Sequence, residues 1–366
     1  MLAGIMNEFF VSKVRNLREN LPNIPGNPLP KVSSLMQDRS CSFNFRPVSP
    51  DEVSEIISNL KSSRSCGIDD IDTYVIKLAR DELVPVLTHI INRLFPSYWK
   101  LAKVIPLHKK DEVTNPKNYR PVALLSIASK ILERTVFAQL IEYFENNNLL
   151  HPSHHGFRGK HNTSTALLQM FDVWLEALEN KEISAAIMLD MSAAFDVVDH
   201  DILIEKLKLY GVDSSSSEWI KSYLTSRSQK VYIDGAYSGV LDLEAGVPQG
   251  SVLGPLLYVI FTNDLPESVH DHLSESGAFF NTHCKSCGDI CCYVDDSTFT
   301  TSGTNPEEIM KTIEVKYKAI KSYMTDNKLV LNTDKTHLLI MATPYQHRMY
   351  NNFGISLNTG TEIIEL

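Results

Sequence analysis

Ile290-Cys291-Cys292-Tyr293-Val294-Asp295-Asp296-Ser297-Thr298-Phe299 sets two adjacent carboxylates between two short runs of apolar and β-forming residues. The pattern reads as a strand, a tight turn and a returning strand, with both acids at the turn. Asp is favoured in turns whatever its role, so a solvated turn accounts for the pair by itself. The same pair raised on a hairpin also suits a divalent cation, because hard ions such as Mg²⁺ take carboxylate and phosphate oxygens. A metal site then needs a third carboxylate from elsewhere in the chain.

About a hundred residues earlier, Ala185-Ala186-Ile187-Met188-Leu189 is a continuous apolar run of strand length that delivers Asp190 at its end. Between it and the acidic hairpin the pattern predicts helices near 201–210 and 217–225. It also predicts strands at Val231–Ile233 and Gly239–Leu243 around an Asp234-Gly235 turn, and a loop Gly246-Val247-Pro248-Gln249-Gly250 leading into an apolar helix, Val252–Phe261. Beyond the hairpin, Asn305-Pro306-Glu307-Glu308 caps a helix bearing Ile309, Ile313, Ile320 and Met324, and Leu329–Leu331 with Leu338–Met341 form a final hairpin. Strand, helices, hairpin, helix, strand is the order of a ferredoxin-like split βαβ sheet, an α+β arrangement whose central strands bring Asp190 beside Asp295-Asp296. Like charges gathered at one sheet edge are unfavourable unless cations neutralise them. Two Mg²⁺ ions roughly 3.5–4 Å apart would do so and would clamp both oxygens of a phosphoryl transfer.

The first half reads differently. Residues 1–48 give a weakly helical opening and a connector with Pro22, Pro25, Pro28 and Pro30, expected to pack poorly. Ser49-Pro50-Asp51-Glu52 is a capping box, and Val53, Ile56, Ile57 and Leu60 lay a stripe along the helix behind it. A helix at 81–94 precedes a strand, Lys103–Leu107, that runs into Lys109-Lys110. Tyr119–Leu125 is extended because Pro121 biases its predecessor away from helix. Ile127, Ile131, Leu132, Val136, Leu140, Ile141 and Phe144 mark a long helix, and Leu167, Leu168, Phe171, Trp174, Leu175 and Leu178 another; both stripes are expected in the core.

The 366 residues, 43% hydrophobic and 22% charged, suit two or three packed units and exclude a disordered chain. A net charge of -9 argues against a general nucleic-acid coat, yet residues 100–160 hold ten Lys/Arg against five Asp/Glu, which confines any basic surface to the first half. Four of the six cysteines crowd into 284–292, unlike a secreted disulfide framework; no window is long enough for a membrane span, and no secretory leader opens the chain. The expected setting is reducing and intracellular, nucleus or cytoplasm.

Seven blocks in order resemble the reverse transcriptase domain of non-LTR (LINE-type) retrotransposons. They are Trp99–Lys110, Asn118–Leu125, His155-Gly156-Phe157-Arg158, Leu189–His200, Gly246–Pro255, Tyr293-Val294-Asp295-Asp296 and Leu331–Thr336. The resemblance implies right-hand polymerase fingers and palm, the palm being the split βαβ sheet with helices on one face. It also implies nucleotidyl transfer from a dNTP to a DNA primer on an RNA template. On it, Asp190, Asp295 and Asp296 hold the two Mg²⁺ ions, and Asp196 in the same block is structural. Phe195 resembles the bulky residue that excludes a 2′-hydroxyl, with a core Phe as the plainer reading. Arg120 resembles the residue gripping the triphosphate, and Lys109 or Lys110 reaches the same phosphates. Gln249 and Gly250 resemble the loop that tracks template and nucleotide; Lys335 is a candidate general acid near the leaving pyrophosphate, or a solvated turn lysine.

The sequence also departs from the family. Ile91–Pro96 runs almost directly into Trp99, where relatives carry a longer connection, and a stretch at about 266–290 reads as an insertion. Within it His283, Cys284, Cys287 and Cys291 are candidate zinc ligands at a compressed spacing, set against a weakly constrained insertion. The resulting division is an N-terminal extension, 1–48, fingers, 49–180, and palm, 181–366, with no thumb and no endonuclease. The competing function is a catalytically silent remnant that binds nucleic acid or a thumb-bearing partner.

Overall fold

A computed structural model describes residues 2–21, 41–93, 95–275, 289–346, 356–358 and 363–365, with positions 29, 32 and 36. The first half contains α1 (Leu2–Glu19), α2 (Pro50–Ser58), α3 (Thr73–Leu78), α4 (Arg80–Ile91), β1 (Leu101–His108), β2 (Tyr119–Leu124), α5 (Ile127–Asn146) and α6 (Thr163–Glu179). Then come β3 (Ile183–Leu189), α7 (His200–Leu209), α8 (Ser214–Leu224), β4 (Arg227–Ile233), β5 (Ala236–Tyr237), β6 (Leu241–Leu243) and α9 (Gly254–Thr262). The last are α10 (Leu265–Glu275), β7 (Ile290–Tyr293), β8 (Asp296–Gly303), α11 (Pro306–Asp326), β9 (His337–Met341) and the short pair β10 (Ser356–Asn358) and β11 (Ile363–Glu365). The class is α+β. Two compact units interleave along the chain: one draws on Met1–Leu21, Met36–Leu149 and Phe195–Ile260, the other on Pro22–Leu35, Leu150–Ala194 and Phe261–Leu366. This partition does not follow a single boundary at residue 180.

In the first unit the strand order is β2-β1-β4-β5, with β6 also on β4. β1 pairs antiparallel with β2 and parallel with β4. The opening of the chain packs, contrary to the expectation for 1–48. Ala3, Met6 and Phe10 recur at helical spacing, and they settle with Ala102, Val104, Leu125 and Val231 in one buried cluster. Asn7, 1% exposed, donates to Ser238 Oγ and Gly239 O at 3.0 Å each and accepts from Gln229 Nε2 at 2.9 Å, so its burial is compensated. The stripe is narrow but sufficient. Most of the Pro-rich connector lies outside the described residues. The capping box forms as read: Glu52 N–H donates to Ser49 Oγ at 3.3 Å, and Ser49 N–H to Glu52 Oε2 at 2.8 Å.

The second unit is built on a sheet of order β7-β8-β3-β9 with every neighbouring pair antiparallel. Both α6 and α11 pack on β3 and β8, with Trp174 Nε1 donating to Thr300 Oγ1 and Lys316 Nζ to Thr300 O. Two expectations are corrected here. β9 does not form a hairpin with 329–331; it pairs with β3, while Leu331 makes an antiparallel bridge to Met191. And α6 does not bury its large apolar stripe: Leu167, Leu168, Phe171 and Leu175 are exposed, whereas Ala166, Trp174 and Ala177 face inward. A helix lying on a narrow sheet buries one thin stripe, and here small residues let it lie close.

Candidate active site

The second unit assembles the acidic site by register. Leu189 opposes Ser297 in the β3–β8 ladder, so the next position on each strand sets Asp190 opposite Asp296. β7 and β8 pair from Ile290↔Phe299 to Tyr293↔Asp296, leaving Val294 and Asp295 as a two-residue turn. The hairpin is therefore as the sequence reads, and the third carboxylate arrives on the neighbouring strand. The backbone beside Asp190 is fixed from the other side: Asn332 N–H donates to Asp190 O at 2.9 Å and Ser192 N–H to Val330 O at 2.8 Å.

Asp190 Oδ2 accepts from Asn332 Nδ2 at 2.9 Å and pairs with Lys335 Nζ at 3.2 Å. Lys335 is otherwise solvated, so the pair is worth little to stability but keeps a cation at the site. Asp296 is exposed as a residue, yet its carboxyl is set partly into the protein. That partial burial, then Asp295 and Asp190, push its pKa above the ordinary Asp value, and Lys335 opposes the shift. A carboxyl whose ionisation its acidic neighbours disfavour suits a divalent cation, and the donor set of the three aspartates is all hard oxygen. Their oxygens do not gather within 4.8 Å of one another. Among the described residues the cluster that does is Glu267, His270 and Asp271 on α10.

Of the candidate zinc ligands, His283, Cys284 and Cys287 lie outside the described residues. Cys291 is buried on β7, its thiol 3.8 Å from Ala166 O, and burial pushes its pKa to about 11. Cys292 is pushed to about 12 by the same cause. Both are placed as packing groups.

The nucleotide-side candidates belong to the first unit. Lys109 and Lys110 follow β1 and are exposed, as is Arg120 on β2; Leu107↔Arg120 register and the Lys109 N–H bond to Asn118 O at 2.8 Å put them at one end of this hairpin. Phe195 packs against Tyr258 with centroids 4.8 Å apart, part-exposed and not a core Phe. Gln249 Nε2 donates to Asp196 Oδ2 at 2.7 Å, and Ala123 N–H donates to Gln249 O at 3.1 Å. Burial pushes Asp196 up to about 6, with the Gln249 hydrogen bond, Lys13 and Arg120 opposing. Gly250 has φ +105°, and a Cβ there would stand 2.5 Å from Ala123 O, which restricts this position to glycine.

Sequence reasoning passed over three residues. Asn332 was visible only as a member of a block. Glu133, fully buried, caps the start of α9 by accepting from Val252 N–H at 2.6 Å and Leu253 N–H at 3.3 Å, with Ser129 Oγ at 2.8 Å; a charge inside an apolar helical stripe was its signal. Arg18 donates to Val197 O at 3.1 Å and Asp199 Oδ2 at 2.8 Å, tying α1 to the segment after Phe195, and nothing local marks it.

The family model for reverse transcriptase (RNA-dependent DNA polymerase) matches residues 107–357. The chain is 36% identical over 247 residues to the probable RNA-directed DNA polymerase from transposon BS of Drosophila melanogaster, covering 64% of this chain and 26% of that protein. It is 36% identical over 237 residues to the RNA-directed DNA polymerase from mobile element jockey of the same species, covering 62% and 25%. To the jockey protein of Drosophila funebris it is 32% identical over 319 residues, 84% of this chain and 34% of the relative. The chain thus spans about a quarter to a third of the length of these relatives. Together with the ordered blocks and the aspartates aligned by the β3–β8 register, these matches show that the chain belongs to the reverse transcriptase family, as a domain of the non-LTR, LINE type.

Proposed function

We propose that this domain is an RNA-directed DNA polymerase in which Asp190, Asp295 and Asp296 form the metal-binding centre for nucleotidyl transfer to a primer 3′-OH on an RNA template. The observation that carries the reading is the β3–β8 register, which sets Asp190 opposite Asp296 at the edge of one sheet. The order β7-β8-β3-β9 supports a ferredoxin-like split βαβ palm in the second unit. In this reading the first unit supplies the fingers.

When bound, two Mg²⁺ ions supply Lewis-acid stabilisation of the phosphoryl oxygens. The chain's own residues do the rest. Asp190 is oriented by Asn332 and by the backbone bond from 332, so its carboxylate is held before any ligand arrives. In this reading Lys335, 3.2 Å from Asp190 Oδ2, is the ammonium that gives a proton to the departing pyrophosphate. Arg120, with Lys109 or Lys110, offers the exposed guanidinium and ammonium groups that suit a triphosphate. Phe195, braced on Tyr258, is the aromatic wall against a 2′-hydroxyl. Asp196 holds the Gln249 amide in one orientation.

Primer extension with deoxynucleotides on an RNA template tests the reading. Incorporation that vanishes in Asp295→Asn supports it. Retained nucleic-acid binding with no incorporation by the parent chain would leave the silent remnant.

A further inference from the structure

The turn that carries the acids is strained where a hairpin can least tolerate strain. Val294, first of the two central residues, has φ +63°, and Asp295 is not among the residues with positive φ. A turn with one positive φ at this place is normally filled by glycine. A β-branched residue there is a genuine outlier, and such conformations persist only where the surroundings over-determine them.

The surroundings are the block His155–Arg158 and the residues before it, in the same unit. Cys292 N–H donates to Ser153 O at 2.8 Å, and His155 N–H donates to Cys292 O at 2.9 Å. His154 bridges Cys292 in parallel, so this segment joins the outer edge of β7 one residue before Tyr293. Arg158 Nη1 ties the segment down through the carbonyls of His151 at 3.0 Å and His154 at 3.1 Å, and His154 Nε2 meets Thr262 O at 3.2 Å. At the end of the segment Gly156 lies directly on Val294. A Cβ on Gly156 would stand 2.6 Å from Val294 Cγ2 and 3.0 Å from Val294 N. Gly156 has an ordinary φ, so space against Val294, and not backbone freedom, is what reserves the position for glycine.

We propose that Ser153–Gly156 is a clamp that holds Val294 in its left-handed conformation and so aims Asp295 and Asp296, with Gly156 as the positioning residue. The proposal rests on the reading of Asp190, Asp295 and Asp296 as metal ligands. It assigns the His155–Arg158 block a task at the acidic turn: with no side chain touching the metal, the block sets the direction of two ligands through backbone pairing and one close contact.

The test measures Tb³⁺ binding by luminescence sensitised through the protein's aromatic residues, with thermal melting of each variant alongside. Four proteins are compared with the parent: Asp295→Asn, Gly156→Ala, Val294→Gly and the double variant Gly156→Ala/Val294→Gly. Gly156→Ala is expected to weaken Tb³⁺ binding about tenfold or more, equal to about 1.4 kcal/mol or above. Val294→Gly removes both the Cγ2 that the new methyl would strike and the penalty at positive φ, so the double variant is expected to bind as Val294→Gly alone does. A general loss of packing would not be rescued in this way. If Gly156→Ala does not fold, the comparison of the double variant with Val294→Gly carries the test. Parent-like affinity in Gly156→Ala, with binding lost in Asp295→Asn, would overturn the clamp and leave the metal site standing. A double variant still tenfold weaker than Val294→Gly would overturn it as well. Equal binding by the parent and Asp295→Asn would remove the metal-site reading itself, and the clamp with it.

Discussion

Replacing Glu133 by Gln keeps the shape of a fully buried side chain and removes its charge. The carboxylate receives Val252 N–H at 2.6 Å, Leu253 N–H at 3.3 Å and Ser129 Oγ at 2.8 Å, and burial raises its pKa against the opposing field of Arg227. Arg227 is itself 3% exposed, bonded to Tyr223 O at 2.9 Å and stacked 5.0 Å from the Tyr223 ring. The amide can keep its oxygen toward the two backbone donors and turn its NH₂ to Ser129, so the hydrogen bonds survive and what is removed is a charge whose burial costs more than the field of Arg227 returns. Glu133→Gln should therefore be at least as stable as the parent at pH 7, being the neutral isostere of a group that the fold prefers neutral. Glu133→Ala strands the two N–H groups and should cost roughly 1–3 kcal/mol for each. Urea unfolding at pH 7 reads this directly, in a Trp174→Phe background so that Trp99 and Trp219, both of the first unit, report. With a urea slope of about 1–3 kcal/mol/M, Glu133→Ala should lower the midpoint by about 1 M or more, and Glu133→Gln should leave it unchanged or raise it. A midpoint lowered equally by Gln and Ala would mean that the charge, and not the hydrogen-bonding shape, holds the start of α9.

Three more outcomes follow from the same structure. Burial depresses His154 to about 3 and His151 to about 4, so the unfolded chain takes up protons first as pH falls below the ordinary His value; the second unit should lose stability between about pH 6.5 and 3, and His154→Asn should flatten that slope in pH-dependent melting. Asp196 has the opposite sign: with its pKa pushed up to about 6, the fold favours its neutral form. Stability from this group therefore falls as pH rises from about 4 to 6, and Asp196→Asn should gain about 1–3 kcal/mol at pH 7 in the same assay. Gly250→Ala meets Ala123 O at 2.5 Å with φ at +105°, and should cost at least about 1–3 kcal/mol while raising KM for dNTP more than it lowers kcat.

The strands and helices around the acidic hairpin were legible because their signals are local. The β3 run, the Asn305 cap of α11 and the Asp234-Gly235 turn each specify their own backbone, and the ordered blocks specified the family. Pairing was less legible. Leu329–Leu331 looks like a strand, and only the sheet reveals that its partner is Met191 and not β9. Periodicity also misread α6, since a hydrophobic stripe tells which residues share a face without telling which face the sheet covers; small Ala166 and Ala177 won that place. The packing of α1 was missed for the converse reason, as its three buried apolar residues make too short a stripe to stand out in a helix rich in charge. The hairpin and the strand end that carry the three aspartates were readable, whereas the Asn332, Glu133 and Gly156–Val294 contacts depend on segments more than a hundred residues apart.

In the proposed function Asp190, Asp295 and Asp296 act together as the metal centre of a polymerase. Single-nucleotide incorporation on a primed RNA template, measured across a Mg²⁺ titration for the parent and Asp190→Asn, tests it most directly. Mg²⁺-dependent incorporation by the parent is expected, with a loss of at least about 10³-fold in Asp190→Asn and template-primer affinity unchanged. Incorporation by Asp190→Asn at the parent rate and the parent Mg²⁺ dependence would contradict it.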